Sequence, residues 1–600
     1  MGKTYEAKET DGKWLVTLEP VKAGGPFTME IISDEGCVKI QDIYSGDLWL
    51  CAGQSNMEMQ MERLRDDFSD EWRQDFPLIR QFKVTQEWDF NSERDELRGF
   101  WISASAETLN EFSAAAWFFA KKMCEKYKEQ GLNIPIGLIN TAWGGTPVES
   151  WMSREALADY PEISARAQRY ANPSFCAEIA GKTSAAIEDW ESRMKSEDRG
   201  LSEEWQNRQT DISSWDEVTL PGDFSEAGLT GFCGVIWLAK EFEVPDKFQE
   251  GASLWLGTIT DADTVYINGS KAGNTDYRYP PRKYRVPAGI LKKGKNRIVI
   301  RVTCNNGEGG VTRDKPFRIF ADNESVELAG RWKYKVGAKA SCTRPKEFFF
   351  EWQPIGPFNA MIAPALKYPL KGVIWYQGES NDSNANDYAK LFRSMIQDWR
   401  RKNGNEKLPF LFVQLPIYGT PSCNNESSHW ALLREAQAQT LSLPFTGMAA
   451  ALELGEWNDL HPINKKDIGC RLFLAAEKIL FNAENTSPGP VFHHLEERQN
   501  RLFLFFENCA DGLTANSIAD NADKKPYLSV IGDECVRLPA VIEGKDVISI
   551  DVSSVKNIKK VLYAWADNPK DRQLFNSEGL PVIPFRIEIK TKFDKGENYV

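Results

Sequence analysis

The chain has few of the residues that bind metals and no paired cysteine motif. Its 600 residues include only four histidines, and its eleven cysteines form no Cys-x-x-Cys pair. No histidine shares a metal-ligand spacing with a cysteine, so the sequence predicts neither a metal site nor a cofactor. The odd cysteine count, with several cysteines inside apolar runs, is typical of reduced, buried thiols.

Long apolar runs and excess positive charge are also missing. No stretch of eighteen apolar residues occurs, which excludes a membrane-spanning helix. The net charge of −13 argues against nucleic acid or an anionic membrane as the main partner. The first ten residues lack the apolar segment of a secretory signal, so the chain as given carries none.

The composition is that of a soluble globular protein, with 42% hydrophobic and 26% charged residues. The length exceeds what one core supports, so we expect several domains. Strand and helix patterns alternate in two separate stretches, as in a parallel α/β sheet. Short strands without long helices fill the intervening stretch and both ends. The predicted division is a β unit at 1–46, an α/β domain at 47–200 and 337–482, an all-β insertion at 201–336, and a β module at 483–600.

A serine stands on a sharp turn after a predicted buried strand. Residues 48–51 are almost wholly apolar, Gly53 breaks the run, and Ser55 follows. Such a turn places the hydroxyl at the carboxyl edge of the sheet, where open α/β folds bind ligands. The alternative is a turn serine that caps a helix.

Three further polar segments follow predicted strands of the same domain. They are Thr-Ala-Trp-Gly-Gly-Thr at 141–146, Trp-Tyr-Gln-Gly-Glu-Ser-Asn at 375–381 and Asp-Leu-His-Pro at 459–462. In a parallel sheet all of them meet the serine turn at one edge. The edge would then hold a nucleophile, a glycine turn, an amide side chain and a histidine beside an acid, which are the components of acyl transfer.

These segments resemble the conserved blocks of the SGNH hydrolases, more narrowly the sialate O-acetylesterase and acetylxylan esterase branch. The most specific matches are Gly-Gln-Ser-Asn-Met at 53–57, Trp-Gly-Gly-Thr-Pro-Val-Glu-Ser-Trp at 143–151 and Tyr-Gln-Gly-Glu-Ser-Asn at 376–381. The resemblance covers residues 13 to about 480. It implies a three-layer hydrolase domain with a parallel sheet, interrupted by an insertion similar to the jelly-roll, sugar-binding β-sandwich of some glycosidases.

The resemblance also implies a role for each site residue. Ser55 would attack the acetyl carbonyl, and His461 would take its proton and return it to the leaving sugar oxygen. The oxyanion donors would be the Ser55 N–H, the N–H of Gly144 or Gly145, and the Gln377 side-chain amide. Asn381 competes with Gln377, because the wider superfamily has asparagine in this block.

The acid that would orient the imidazole is less directly implied. Much of the superfamily has aspartate three residues before the histidine, but residue 458 is asparagine here and Asp459 stands two before. Asp459 is the first candidate for the acid that orients the imidazole, and Glu379 is the alternative. A dyad of Ser55 and His461, completed by a backbone carbonyl, is a third arrangement.

The predicted function is a metal-independent serine esterase that removes acetyl groups from carbohydrate through an acetyl-serine intermediate. O-acetylated sialic acid is the substrate that the resemblance implies first, and acetylxylan or another polysaccharide is the alternative. A different class is an inert carbohydrate-binding protein. Resemblance implies a periplasmic or extracellular protein, and the sequence does not address the oligomeric state. The tyrosines at 277, 279 and 284 in the insertion are expected to pack rather than to contact sugar.

Overall fold

A seven-stranded sheet lies at the centre of the α/β part of this computed structural model, which describes residues 3–589 apart from 11, 15, 74 and 517–523. In chain order its strands are β1 (Asp47–Gly53), β2 (Phe76–Val84), β3 (Gly99–Ala104), β4 (Ile136–Asn140), β5 (Gly372–Tyr376), β6 (Phe410–Val413) and β7 (Thr446–Ala449). Their spatial order is β7-β6-β5-β1-β4-β2-β3. Every pairing is parallel except that of β2 with the edge strand β3.

Helices cover both faces of this sheet. The helices of the α/β part are α1 (Ser55–Glu58), α2 (Ala114–Glu129), α3 (Pro161–Tyr170), α4 (Pro173–Ser196), α5 (Arg199–Ser202), α6 (Ala363–Ala365), α7 (Ala385–Asn403), α8 (His429–Gln439) and α9 (Lys465–Phe481). Of these, α4 and α5 pack against the inserted β region and not against the sheet. Alternate residues of β1 enter different cores: Trp49 packs with α2 and α9, whereas Leu50 packs with α7 and α8. This alternation is the period of two of a strand buried on both faces. The α/β prediction is confirmed.

The region between α5 and β5 contains strands and only short helical turns. The strands are Asp216–Leu220, Gly222–Asp223, Gly234–Val244, Ala252–Leu256, Ile259–Thr260, Ala262–Ile267, Ser270–Thr275, Lys283–Val286, Gly294–Cys304, Gly310–Val311, Phe317–Ala321, Glu324–Glu327 and Gly330–Lys339. They form sheets of six, four and three strands around one apolar core. This region therefore has a core of its own.

The two ends of the chain are also β structure. The first strands are Glu9–Thr10, Lys13–Trp14, Gly24–Ser33 and Gly36–Ser45. The last are Val491–Arg498, Arg501–Glu507, Leu513–Ala515, Tyr527–Ile531, Cys535–Ile542, Val547–Asp551, Lys560–Tyr563, Leu574–Asn576 and Phe585–Glu588. The glycines at 24 and 25 begin a strand, and the ladder accommodates them by a register shift.

The parallel register brings the polar segments to one edge. Gly53 pairs with Tyr376, and Cys51 pairs with Asn140, so the segments after β1, β4 and β5 leave the sheet side by side. The Trp143 N–H donates to the Gly53 carbonyl at 3.0 Å, which ties the glycine turn to the end of β1. The site described below is built on this edge.

We predict that Gly53→Ala destabilises the protein and lowers its activity. Gly53 has φ +132°, and an added Cβ would overlap the Tyr376 carbonyl. Both the backbone strain and the overlap would shift the turn that carries Ser55. We expect a thermal unfolding midpoint several degrees lower, measured by circular dichroism.

Gly181→Ala is the matched control. Gly181 lies inside α4 with open space around it, so alanine should leave the midpoint unchanged or raise it. Equal midpoints for Gly53→Ala and the unmodified protein would contradict the prediction.

Candidate active site

Ser55 is the first residue of α1, immediately after the turn that ends β1. The Gln54 N–H donates to the Tyr376 carbonyl at 3.0 Å, and the Gln54 side-chain oxygen accepts from the N–H groups of Gly378 and Ser380. These bonds fix the turn against the segment after β5. Ser55 itself is partly exposed, so its hydroxyl is accessible to a substrate.

The Ser55 hydroxyl contacts the imidazole of His461. The distance from Oγ to Nε2 is 2.8 Å, although the two residues are 406 positions apart in the chain. Burial, together with the positive charges of Arg63 and Lys465, lowers the pKa of His461 to about 3. The imidazole is therefore neutral near pH 7, and its Nε2 can accept the serine proton. The predicted approach of these two side chains is confirmed.

The carboxylates do not occupy the positions that the sequence suggested. Asp459 Oδ1 accepts the main-chain N–H of His461 at 2.8 Å, and its Oδ2 lies 3.0 Å from Arg63. Glu379 accepts from the Asn56 side chain. Within the described residues, His461 Nδ1 has no hydrogen-bond partner. Neither predicted acid thus orients the ring directly, because Asp459 is held by a neighbouring cation and Glu379 by an amide.

Asn56 joins the serine turn to the histidine loop. Its Nδ2 donates to Glu379 and to the Leu460 carbonyl, the latter at 3.1 Å, while its Oδ1 accepts from Lys465 Nζ at 2.9 Å. Lys465 is fully buried and also donates to the Pro462 carbonyl. Burial and the Arg63 charge lower the pKa of Lys465 to about 7. Burial also raises the pKa of Glu379.

Sequence reasoning missed this network. Lysine normally lies at the surface, and an amide next to the nucleophile has no distinctive sequence pattern. The position of Lys465, only four residues after His461 and at the start of α9, was the signal that could have indicated it.

The glycine turn lies against the nucleophile. A Cβ placed on Gly144 would be 3.6 Å from the Ser55 Cβ, so the main chain of Gly144 approaches the serine closely. Gly145 has φ +74°, and a Cβ there would overlap the Trp352 ring. The Trp352 indole donates to the Gly144 carbonyl at 3.1 Å and so covers the turn. Gly145 therefore requires glycine, whereas a Cβ on Gly144 would meet only the end of the Glu58 side chain, at 3.1 Å, and the Ser55 Cβ.

Gln377 does not face the serine with a free amide. Its Nε2 donates to the Thr146 carbonyl at 3.2 Å and to Asn381 Oδ1 at 2.7 Å, and its Oε1 accepts from Tyr388. Asn381 Nδ2 in turn donates to Glu149. The side-chain amides of Gln377 and Asn381 thus bind residues that directly follow the glycine turn. The expected oxyanion role of Gln377 is not met in this arrangement, because both of its hydrogens have other acceptors.

Glu58 is a carboxylate that the sequence did not single out. It lies one turn after Ser55 and accepts from Gln86 Nε2 at 2.8 Å and from the Gly144 N–H. Burial raises the pKa of Glu58. Gln86 also donates to the Ala142 carbonyl at 3.1 Å. The Gly144 N–H is therefore bound by a carboxylate on the same helical turn as Ser55.

The inserted β region contributes directly to the site. The Tyr279 ring packs edge-on against the His461 imidazole, with 5.3 Å between centroids, although it was expected to pack within the insertion. Tyr284 does pack internally, through Asp263. Lys315 pairs with Glu456 and lies 3.4 Å from Asp459. Contacts across 140 residues or more cannot be read from sequence spacing.

Comparison with known proteins identifies the α/β domain. Residues 45–181 and 349–471 match the family described as carbohydrate esterase, sialic acid-specific acetylesterase. The two matched stretches contain all four segments of the site and exclude the inserted β region. These stretches of the α/β domain are similar to that family. The chain is therefore a carboxylic ester hydrolase, as predicted.

Individual acetylesterases align with different shares of this chain. A sialate O-acetylesterase of Mus musculus is 23% identical over 629 aligned positions, covering 98% of this chain and 86% of the relative. The Homo sapiens sialate O-acetylesterase is 31% identical over 26% of this chain and 31% of its own. The crystal structure of a carbohydrate acetylesterase from Xanthomonas citri has a TM-score of 0.59 at 24% identity, covering 96% of this chain and 91% of that one. That structure shares the fold.

We predict that Lys465→Met shifts the pH dependence of this esterase. The variant removes a positive charge that holds the His461 pKa down, so the pKa of His461 should rise toward its ordinary value of about 6.5. The acid limb of kcat/KM should move to higher pH by about one unit. A pH profile with a chromogenic acetate ester measures this.

Lys466→Met is the control, because Lys466 is the exposed neighbour on the same helix. Its acid limb should coincide with that of the unmodified enzyme. A fall in kcat for Lys465→Met with an unmoved acid limb would indicate that the lysine is merely structural.

Proposed function

We propose that this esterase hydrolyses O-acetyl esters on carbohydrate, with O-acetylated sialic acid as the first substrate to consider. The observation that carries the proposal is the 2.8 Å contact between Ser55 Oγ and His461 Nε2 at the carboxyl edge of the sheet. A serine hydroxyl is a poor nucleophile until a base takes its proton. An inert binding protein has no use for this arrangement, so the contact favours catalysis.

The first half of the reaction forms an acetyl-serine. Ser55 Oγ attacks the acetyl carbonyl carbon while His461 Nε2 accepts the hydroxyl proton. The tetrahedral intermediate then expels the sugar oxygen, and the imidazolium returns its proton to that oxygen. The low pKa of His461 favours this return, since the ring gives up its proton readily.

The second half releases acetate. Water attacks the acetyl-serine carbonyl, and His461 takes a proton from the water as it did from the serine. Collapse of the second intermediate expels Ser55 Oγ, which regains its proton from the imidazolium. The enzyme returns to its starting state with acetate as the product.

The oxyanion donors proposed are the main-chain N–H groups of Ser55 and of the glycine turn. The Ser55 N–H is the first of α1, where helix geometry provides no internal acceptor. Within the glycine turn the donor proposed is the Gly145 N–H, because the Gly144 N–H is already accepted by the Glu58 carboxylate. Removing one such donor typically costs about 10²–10³ in rate.

The imidazole is proposed to act in a dyad with Ser55. Asp459 would be a positioning residue, since it holds the His461 main chain and not the ring. Arg63 and Lys315 would then fix the Asp459 carboxylate. Glu379 would act indirectly, by accepting a hydrogen bond from Asn56, which also bonds to the carbonyl before His461.

The finer architecture is also a proposal. We infer the three-layer SGNH arrangement for 47–200 and 337–482, a jelly-roll sugar-binding-like fold for 201–336, and separate β modules at 1–46 and 483–600. Helices on both sheet faces and the separate core of the insertion support this division. No helix among the described residues is long and apolar enough to cross a bilayer. A periplasmic or extracellular site of action follows from resemblance alone.

Exposed aromatic rings around the serine support a sugar substrate. Tyr279 is 42% exposed beside His461, and Trp352 is 39% exposed over the glycine turn. Large exposed aromatic rings beside a polar site offer flat apolar faces to a ligand with one apolar side. A sugar ring has such a side, formed by its C–H groups.

The test is acetate release from O-acetylated sialosides and acetylated xylo-oligosaccharides by the unmodified enzyme and Ser55→Ala. We expect release from at least one sugar class and a loss of at least about a thousandfold in kcat for the variant. A coupled acetate assay gives both numbers.

Ser383→Ala is the control, because Ser383 is an exposed serine in the turn that follows β5. It should retain full activity. Acetate release that survives in Ser55→Ala, or none from any acetylated sugar, would contradict the proposal.

A further inference from the structure

A cavity that contains none of the catalytic residues described above lies between the loop that carries Trp88 and helix α4. It has a volume of about 440 Å³. Four aromatic side chains, Trp88, Phe90, Tyr170 and Phe350, form much of its wall, and Asp89 and Asn91 add polar groups. Close-packed cores leave few voids larger than a water molecule, whereas small-molecule sites occupy about 300–1,000 Å³. The cavity therefore has the size of a ligand site.

The aromatic rings are held in place by one another. Trp88 stacks on Phe350 with 5.1 Å between ring centroids, and Phe90 lies 5.4 Å from Tyr170. Trp88 nevertheless remains 36% exposed. Trp88 thus presents a fixed apolar face toward the cavity, while the buried Phe90 supports it from behind, and binding there needs little further ordering of side chains.

The polar residues come from the loop that carries Trp88. Asp89 Oδ1 accepts the N–H groups of Asn91 and Ser92 at 2.9 and 3.3 Å, which shapes the loop, and the Asn91 side chain is exposed. Apolar walls with a few polar groups are the usual composition of a small-molecule pocket. Asp89 Oδ2 lies 3.6 Å from Arg94 Nε, so the Asn91 amide is the group offered to a ligand, and an amide is a suitable partner for sugar hydroxyls.

Two chain segments connect this cavity with Ser55. In the first, Gln86 bonds to Glu58 beside the serine, and Trp88 follows two residues later. In the second, Trp352 bonds to the Gly144 carbonyl, and Phe350 precedes it by two residues. Two residues span at most about 7 Å in the first segment. The second segment, Phe350–Trp352, is a 3₁₀ turn, in which two residues rise about 4 Å. The cavity is therefore a short distance along the chain from residues that bond beside Ser55.

We propose that the cavity is a subsite for the sugar residue adjacent to the acetylated one. The inference rests on the proposed function and deepens it: the substrate class is an acetylated oligosaccharide or polysaccharide rather than a free acetylated monosaccharide. The acetylated residue occupies the serine site, and its neighbour stacks on Trp88 and the adjoining rings.

The experiment compares kcat/KM for matched substrates that differ only in length. The pairs are O-acetylated sialic acid against the same residue in sialyllactose, and acetylated xylose against acetylated xylotriose, with 4-nitrophenyl acetate as a reference. Binding of the deacetylated sugars is followed separately by titration calorimetry. Two stacked rings can give about a tenfold preference for the longer member of the active pair.

Two variants remove the subsite in different ways. Trp88→Ala removes one partly exposed aromatic ring from the cavity wall. Ala177→Trp places a large ring in the cavity from an exposed position on α4. Each should lower kcat/KM for the oligosaccharide at least fivefold more than for the chromogenic ester. Ala185→Trp, an exposed alanine two turns further along the same helix, should not change the preference.

The outcomes separate the two proposals. Preference for the longer substrate, lost in both variants and kept in Ala185→Trp, supports the subsite. Equal kcat/KM for both members of a hydrolysed pair, or an unchanged preference in both variants, overturns it. If no sugar is deacetylated, the proposed function fails, and calorimetry still decides the subsite: oligosaccharide binding that both variants abolish supports it, and absence of binding overturns it.

Discussion

The contact between the Ser55 hydroxyl and the His461 imidazole depends on constraints from several parts of the chain. Parallel pairing of β1 with β5 fixes the serine turn, and Gly53 permits the backbone path that this turn requires. Asn56, the residue after the nucleophile, then donates to the carbonyl of Leu460, the residue before the histidine. A 2.8 Å contact across 406 residues therefore follows from a few short hydrogen bonds at one sheet edge. Loss of any of them would move the base relative to the nucleophile.

Electrostatics at this edge keep the imidazole neutral. Buried Lys465 and nearby Arg63 both disfavour a proton on His461, and Asp459 compensates the guanidinium without contacting the ring. The inserted region adds Lys315 to the same carboxylate and Tyr279 to the imidazole face. The insertion is thus part of the environment of the base, although the family match is confined to the α/β domain.

The sequence predicted the α/β pattern and the two central residues because both depend on local signals. An apolar strand followed by glycine and serine indicates Ser55, and His461 stands out among only four histidines. The partner of each polar side chain depends instead on tertiary packing. Spacing placed Asp459 near the ring, yet its carboxylate turns to Arg63, and the Gln377 amide is used by the glycine loop. The contact of Tyr279 with His461 could not be predicted, because it depends on how the insertion packs against the α/β domain. The periodicity of a sequence carries no information about such packing.

Active-site labelling with diisopropyl fluorophosphate tests the central claim most directly. The reagent phosphorylates a serine only when a neighbouring base removes its proton, with loss of fluoride. Mass spectrometry of the digested enzyme should find a single stoichiometric adduct on the peptide containing Ser55, and His461→Ala should label far more slowly. Inactivation with Ser55 unmodified, or equal labelling rates in His461→Ala, would contradict the account.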